Sequence, residues 1–158
     1  MEHFDVNAGI FIGVCATFVM DLWLVLANKL FGFDKPNWHP VGRWVVECLQ
    51  GRVVHEDISL VRSYAYEKQI GWLFHYLVGT IYGIFFLYLI SGNWIDLPLI
   101  VNALLFGWVT ISAGWFFLHP CLGLGVALNK TENPQFGRIT GLIAHTAFAL
   151  GLWLPFLV

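Results

Sequence analysis

The sequence predicts an all-α polytopic membrane protein, a bundle of four transmembrane helices with a short interfacial helix in the first cytoplasmic loop. Three observations predict it. The 158 residues are 58% hydrophobic and only 11% charged, with a mean hydropathy of +0.72. Soluble domains average about 45–50% apolar and about 25% charged residues. So few polar side chains cannot cover a water-facing surface, and lipid is the natural solvent for the excess. Four apolar runs each approach the roughly 20 residues that a crossing helix needs. All eight Lys and Arg residues fall at or within two of the connections between those runs.

The chain reads as a single membrane domain over residues 1–158, with spans at approximately 8–30, 70–90, 97–118 and 139–158. Met1 to Asn7 holds Glu2 and Asp5 but no Lys or Arg. A cleavable signal peptide needs a positive n-region, so the first run is expected to be retained. Span one, Ala8 to Leu30, is interrupted only by Asp21 and closed by Asn28-Lys29. The connection over residues 31–69 carries Pro36, Pro40 and most of the charge. Within it, Val41 to Leu49 is expected to lie in the interface as an amphipathic helix anchored by Trp38 and Trp44. Span two runs from Ile70 to Ile90. The short Ser91–Asp96 turn makes span three, Leu97 to Leu118, its antiparallel neighbour. His119-Pro120 stops span three. Residues 120–138 form the second connection, with a tight turn at Gly123-x-Gly125, and span four is Ile139 to Val158.

Orientation follows from positive charge, which is retained on the cytoplasmic side. Lys29, Lys35, Arg43, Arg52, Arg62 and Lys68 flank or occupy the first connection, and Lys130 and Arg138 the second. Both termini are therefore expected on the outer side of a bacterial inner membrane. The lipid bilayer is the expected partner. The net charge of −2 gives no reason to expect nucleic acid. Cys15, Cys48 and Cys121 are widely spaced and form no CxxC pair, so neither a zinc motif nor a redox motif is signalled.

Polar residues recur inside the spans on rows of small residues. These are Gly9, Gly13, Thr17 and Asp21 on span one, and Gly71, His75, Gly79 and Gly83 on span two. On span four they are Gly137, Gly141, His145 and Ala149. Spacing by four places each row on one side of its helix. Small residues let helices approach closely in lipid, so the rows are expected to be the faces that meet. Asp21 lies eight residues before Lys29, His75 seven after Lys68 and His145 seven after Arg138. At 1.5 Å per residue each sits roughly 10–12 Å inward of a basic residue. Asp21, His75 and His145 thus share one expected layer in the cytoplasmic half, with His119 nearer the water.

An intramembrane carboxylate costs about 2.5–3.5 kcal/mol on insertion scales. Two readings offset that cost. One is a site: a proton relay, a metal site using Asp21, His75 and His145, or a pocket for a small solute. The other is an interhelical clasp. In the first connection, His55, Asp57 and Glu67 form a second candidate set, and a solvated turn or helix start is their bland alternative. Lone His3 and His39 read as surface residues. No Gly-x-Ser-x-Gly or His-Glu-x-x-His signature is present.

The chain resembles an uncharacterised bacterial family of small four-span inner-membrane proteins, known only as a domain of unknown function. The stretches that carry the resemblance begin with Gly13-x-x-Ala16-Thr17-x-x-Met20-Asp21-x-Trp23 and Val41-Gly42-Arg43-Trp44. They continue with Gly51-Arg52-x-x-His55-Glu56-Asp57-Ile58 and Gly71-Trp72-x-x-His75-Tyr76-x-x-Gly79. Pro120-x-x-Gly123-x-Gly125-x-Ala127 and His145 complete them. The family often has Gln-Pro at His119-Pro120 and Asp at Glu56. The resemblance implies no activity, substrate or cofactor, but it places motif residues on Asp21, His55, His75 and His145.

Three function classes remain. The first binds or moves a small solute, proton or metal ion at the Asp/His layer. Four spans are few for a complete pathway, so a homo-oligomer is expected there. The second is a membrane-embedded enzyme, dependent on a metal ion or haem, acting on a lipid-soluble substrate. The third is an accessory subunit in which the layer is only a clasp.

Overall fold

The computed structural model describes residues 5–92 and 97–157, and all regular structure among them is helical. Asn93 to Asp96 of the expected outer turn, with Glu2 and His3, lie outside the described residues. Helix α1 is Val6–Phe31, α2 is His39–Leu49 and α3 is Glu67–Ser91. Helix α4 spans Leu99–Cys121 and α5 spans Pro134–Trp153, followed by a 3₁₀ turn at Leu154–Leu157. All but α2 are long and apolar enough to cross a membrane.

Local chemistry sets the helix ends. The Asp5 carboxylate accepts from the Asn7 N–H and caps α1. Gly32, at φ 69°, closes the same helix by donating to the Asn28 carbonyl, a left-handed end that glycine adopts without a Cβ penalty. Helix α5 begins five residues before the run that hydropathy marks. Asn133 accepts from the Phe136 N–H, and Pro134 supplies a first residue that needs no N–H partner. In α4, Gly114–Leu118 is π-helical, and the His119 N–H donates five residues back to Gly114. Pro120 follows at once. It offers no N–H, and its ring would crowd the carbonyl four residues before it. The wider turn relieves that crowding.

The chain divides into two compact units. The first comprises residues 1–35, 76–110 and 142–158. Ile12, Ala16, Met20, Phe86, Ala103, Ala144, Phe148 and Leu152 form its core. Gly9, Gly13, Gly79, Gly83 and Ala149 of the small-residue rows make its helix contacts. A Cβ on Gly13 would sit 2.5 Å from the Gly79 carbonyl oxygen, and one on Gly83 would sit 2.3 Å from the Gly13 Cα. Ala149 of α5 meets Gly107 of α4 in the same way, and Gly151 meets Ala16 of α1. Large apolar side chains point outward instead, among them Phe11, Phe18, Leu22, Leu77 and Val109. That suits helices whose outer faces meet lipid.

The second unit comprises residues 36–75 and 111–141. Its core is Val41, Trp44, Ile58, Cys121 and Leu122. Helix α2 forms where the amphipathic pattern places it, but its apolar face packs within this unit. Trp44, read above as an interface anchor, is buried. It donates to the Val53 carbonyl at 2.8 Å and meets Phe74 and Phe117 edge-on. A connection this long can bury its own tryptophan against protein, which satisfies the indole N–H as a bare hydrocarbon contact would not.

Candidate functional site

Each candidate residue has a distinct local setting. In the first unit, Asp21 of α1 accepts a hydrogen bond from the Tyr76 hydroxyl of α3. His145 of α5 lies against α4, with Nδ1 3.0 Å from Thr110 Oγ1 and 3.1 Å from the Gly107 carbonyl oxygen. The Thr110 hydroxyl itself donates to the Gly107 carbonyl. A carbonyl can only accept, so the network puts a proton on Nδ1. Thr110 is the residue that orients His145.

In the second unit, His75 stacks on Trp38 with ring centroids 4.1 Å apart and meets Trp72 edge-on at 6.0 Å. The Nδ1 atom of His119 is buried without a hydrogen-bond partner among the described residues, at the end of the π-helical turn. Among the described residues, no three His, Cys, Asp or Glu side chains are grouped to hold a metal ion.

The first connection folds back on the end of α4. The His55 N–H donates to the Cys121 carbonyl and the Ile58 N–H to that of Leu122. Gly123, at φ 86°, meets the Glu56 carbonyl so closely that a Cβ there would lie 2.1 Å from its oxygen. Only glycine satisfies both demands. Asp57 caps the 3₁₀ turn Ile58–Leu60 by accepting from the Ser59 N–H at 2.8 Å. Ser59, through its side chain first and this backbone N–H second, holds the Asp57 carboxyl below the usual range, and the cap matches the helix-start reading.

Two buried carboxylates organise this unit. Glu67 takes both arms of the Arg43 guanidinium, at 3.0 and 2.9 Å, together with His39 and the Tyr64 N–H. The third nitrogen of Arg43 donates to the carbonyls of Ile58, Ser59 and Val61. Its pairing with Glu67 raises the Arg43 pKa. Glu47 is 1% exposed and accepts from Arg52, from the Tyr64 hydroxyl and from His55. Arg52 first, then Tyr64, hold its carboxyl at about 2, against the opposing effect of burial.

Sequence reading passed over Glu47, Arg43, Arg52 and Tyr64 as site residues. A signal for Glu47 was present. It sits three residues after Trp44 and six after Val41, on the apolar stripe of α2. A carboxylate on a buried stripe demands partners.

The low Glu47 value fixes the sign of a pH effect. A carboxyl depressed from 4.5 to about 2 contributes stability that is complete above pH 4.5 and lost as pH falls through about 2. Acid titration in micelles, followed by Trp44 fluorescence, is expected to show this unit loosening across that window. Glu47→Gln should reduce the slope there only in part, because Glu67, held at about 2 chiefly by Arg43, and Asp57 contribute with the same sign. An unchanged slope in the variant would remove Glu47 as the cause.

A family model described as protein of unknown function (DUF2938) matches residues 10–158. No match was found among curated proteins or solved structures.

Proposed function

We propose, for a chain that belongs to the family described as protein of unknown function (DUF2938), that it binds or moves a small solute or proton at Asp21. On this reading it sits in a bacterial inner membrane with its basic connections in the cytoplasm and both termini outside. Homo-oligomers would complete the pathway.

The observation that carries the reading is the bond between the Asp21 carboxylate and the Tyr76 hydroxyl within the membrane-spanning helices. Magnitudes argue against a mere fastening. Interhelical hydrogen bonds in membranes average about 0.6 kcal/mol and reach about 1.7. Placing an Asp at mid-helix costs about 2.5–3.5 kcal/mol. A clasp built from Thr or Asn would hold the helices at lower cost, as Thr110 does with His145 in this same unit. A residue that can take and release a proton is a reason to keep the more costly group. His145, oriented through Nδ1, offers a second proton-accepting atom. His75 enters by sequence, one residue before Tyr76 in α3.

The test uses proteoliposomes loaded with a pH-sensitive dye under an imposed potential. Wild-type protein is expected to speed internal acidification over empty vesicles. Asp21→Asn should abolish the increment, and Tyr76→Phe should reduce it severalfold. Should wild-type vesicles behave as empty ones across a panel of small cations and anions as well, the binding or transport reading fails. If only the thermal stability of Asp21→Asn falls, Asp21 is a clasp.

A further inference from the structure

We propose that His75 is a proton-binding site and that the indole face of Trp38 carries the charge of the imidazolium formed there. The contact lies wholly within the second unit, and it does not rest on proton movement at Asp21. His75 stacks on Trp38 with ring centroids 4.1 Å apart and an angle of 29° between the planes. Trp72 completes a group of three rings, 5.5 Å from Trp38 and 6.0 Å from His75. The backbone builds this contact. The Trp38 carbonyl accepts from the Gly42 N–H at 3.0 Å and so opens α2. A Cβ on Gly71 would lie 2.1 Å from the same carbonyl oxygen and 3.0 Å from the Trp38 Cβ. Trp38 is therefore seated on α3 at Gly71. His75, four residues on, lies on the same side of that helix, where the indole reaches it.

Two observations point to a proton rather than to packing alone. The first is the geometry of the pair. A neutral imidazole gains a stacking contact from an indole. An imidazolium is held in addition by the negative face of the ring, most strongly for Trp and within about 6 Å of the ring centre. The Trp38–His75 pair meets that condition face to face. The second is what Trp38 forgoes. Its Nε1 atom is buried with no hydrogen-bond partner among the described residues, an arrangement that costs stability. Trp44, in the same connection, keeps its bond to the Val53 carbonyl. Trp38 lacks such a bond and keeps the stack. His75 also lies in a helix long and apolar enough to cross a membrane, where an ionisable side chain needs a partner for its charge. Several charged or titratable groups sit on the neighbouring elements. Arg43 and His39 of α2 are both paired with Glu67 at the start of α3. The thiols of Cys48 and Cys121 belong to the core that Trp38 joins. The Tyr76 hydroxyl, next along α3, donates to Asp21 of α1. The Asp21 charge would also favour an imidazolium, so the test separates it from the indole.

The test follows the ring nitrogens of His75 by NMR as pH is lowered, in the full chain carrying isotope-labelled histidine in lipid nanodiscs. His75→Gln identifies the signal. The comparison is between the native Trp38 and tetrafluorotryptophan placed at the same position. Fluorination keeps the shape of the ring but removes the negative charge of its face. The fluorinated protein is expected to need about tenfold more acid to half-protonate His75, the strength of one buried cation–π contact. Trp38→Leu should move the midpoint at least as far. The tenfold difference should persist in an Asp21→Asn background. An unchanged midpoint in the fluorinated protein would overturn the proposal, because a merely structural Trp38 would leave it in place. A difference that vanishes with Asp21→Asn would overturn it too, since the carboxylate would then be the partner. So would a His75 ring that stays neutral until the second unit unfolds. Vesicle acidification reads proton movement at Asp21 separately, so neither experiment decides the other.

Discussion

Replacing Gly42 with Ala is expected to unpack the connecting unit and cost about 3 kcal/mol, the upper end of ordinary overpacking. The added Cβ would lie 1.6 Å from the Glu67 carbonyl oxygen, 2.6 Å from its carbon and 2.8 Å from the Gly71 nitrogen. All three are backbone atoms of the first turns of α3, and none can swing aside as a side-chain end could. Gly71 returns the contact, since a Cβ on it would sit 2.1 Å from the Trp38 carbonyl oxygen. The helices can accept the added methyl group only by separating, which would strain the Arg43–Glu67 pair at the same crossing. Gly141→Ala is the control. Its Cβ would meet only the side-chain tips of Ile111 and Trp115, at 3.3 and 3.8 Å. Ala also favours a helix by about 1 kcal/mol over Gly, so that variant should be neutral or slightly more stable. Unfolding in mixed micelles, followed by Trp44 fluorescence and by protease access to residues 36–66, separates the two. Equal stability of both variants would show that the crossing at Gly42 is not tight.

Much of this architecture was legible because membranes impose simple periodicities. A run of apolar residues must be near helix length, and a contact face must carry small residues every fourth position. Gly13, Gly79 and Gly83 could be assigned to helix-contact faces before any coordinates. What was not legible depended on which partner a polar group would find. Asp21 was visible as an anomaly, but Tyr76, next to the more conspicuous His75, was not visible as its partner. Glu47 carried the signal of a carboxylate on a buried stripe, yet no spacing rule connects it to Tyr64 and Arg52 across two turns. The start of α5 was missed for a different reason. Hydropathy marks where lipid begins, whereas Asn133-Pro134 marks where the helix begins. Likewise the π-helical turn of α4 is a backbone response to Pro120 that no hydropathy pattern records.

Arg43→Ala is expected to cost about 3 kcal/mol, and Arg43→Lys to recover less than half of it. Arg43 grips both Glu67 oxygens and donates to the three carbonyls around Ile58–Leu60. A lysine keeps the charge but has no planar fork, so it can serve the carboxylate or the turn, but not both with good geometry. The size of the loss comes from what is left behind. Removing one partner strands Glu67, whose side chain is 7% exposed, and an uncompensated buried charge is what makes such deletions cost about 3–5 kcal/mol. That account makes a sharper prediction than the single variant does. If stranded charge dominates, Arg43→Met with Glu67→Leu should be more stable than Arg43→Met alone, despite having lost more contacts. If the three carbonyl bonds dominate, the double variant should be no better than the single one. A double-mutant cycle read by micelle unfolding decides between them. A favourable coupling would identify the pair as a device that fixes where α2 crosses α3, and hence the position of the first connection, more than as a source of net stability.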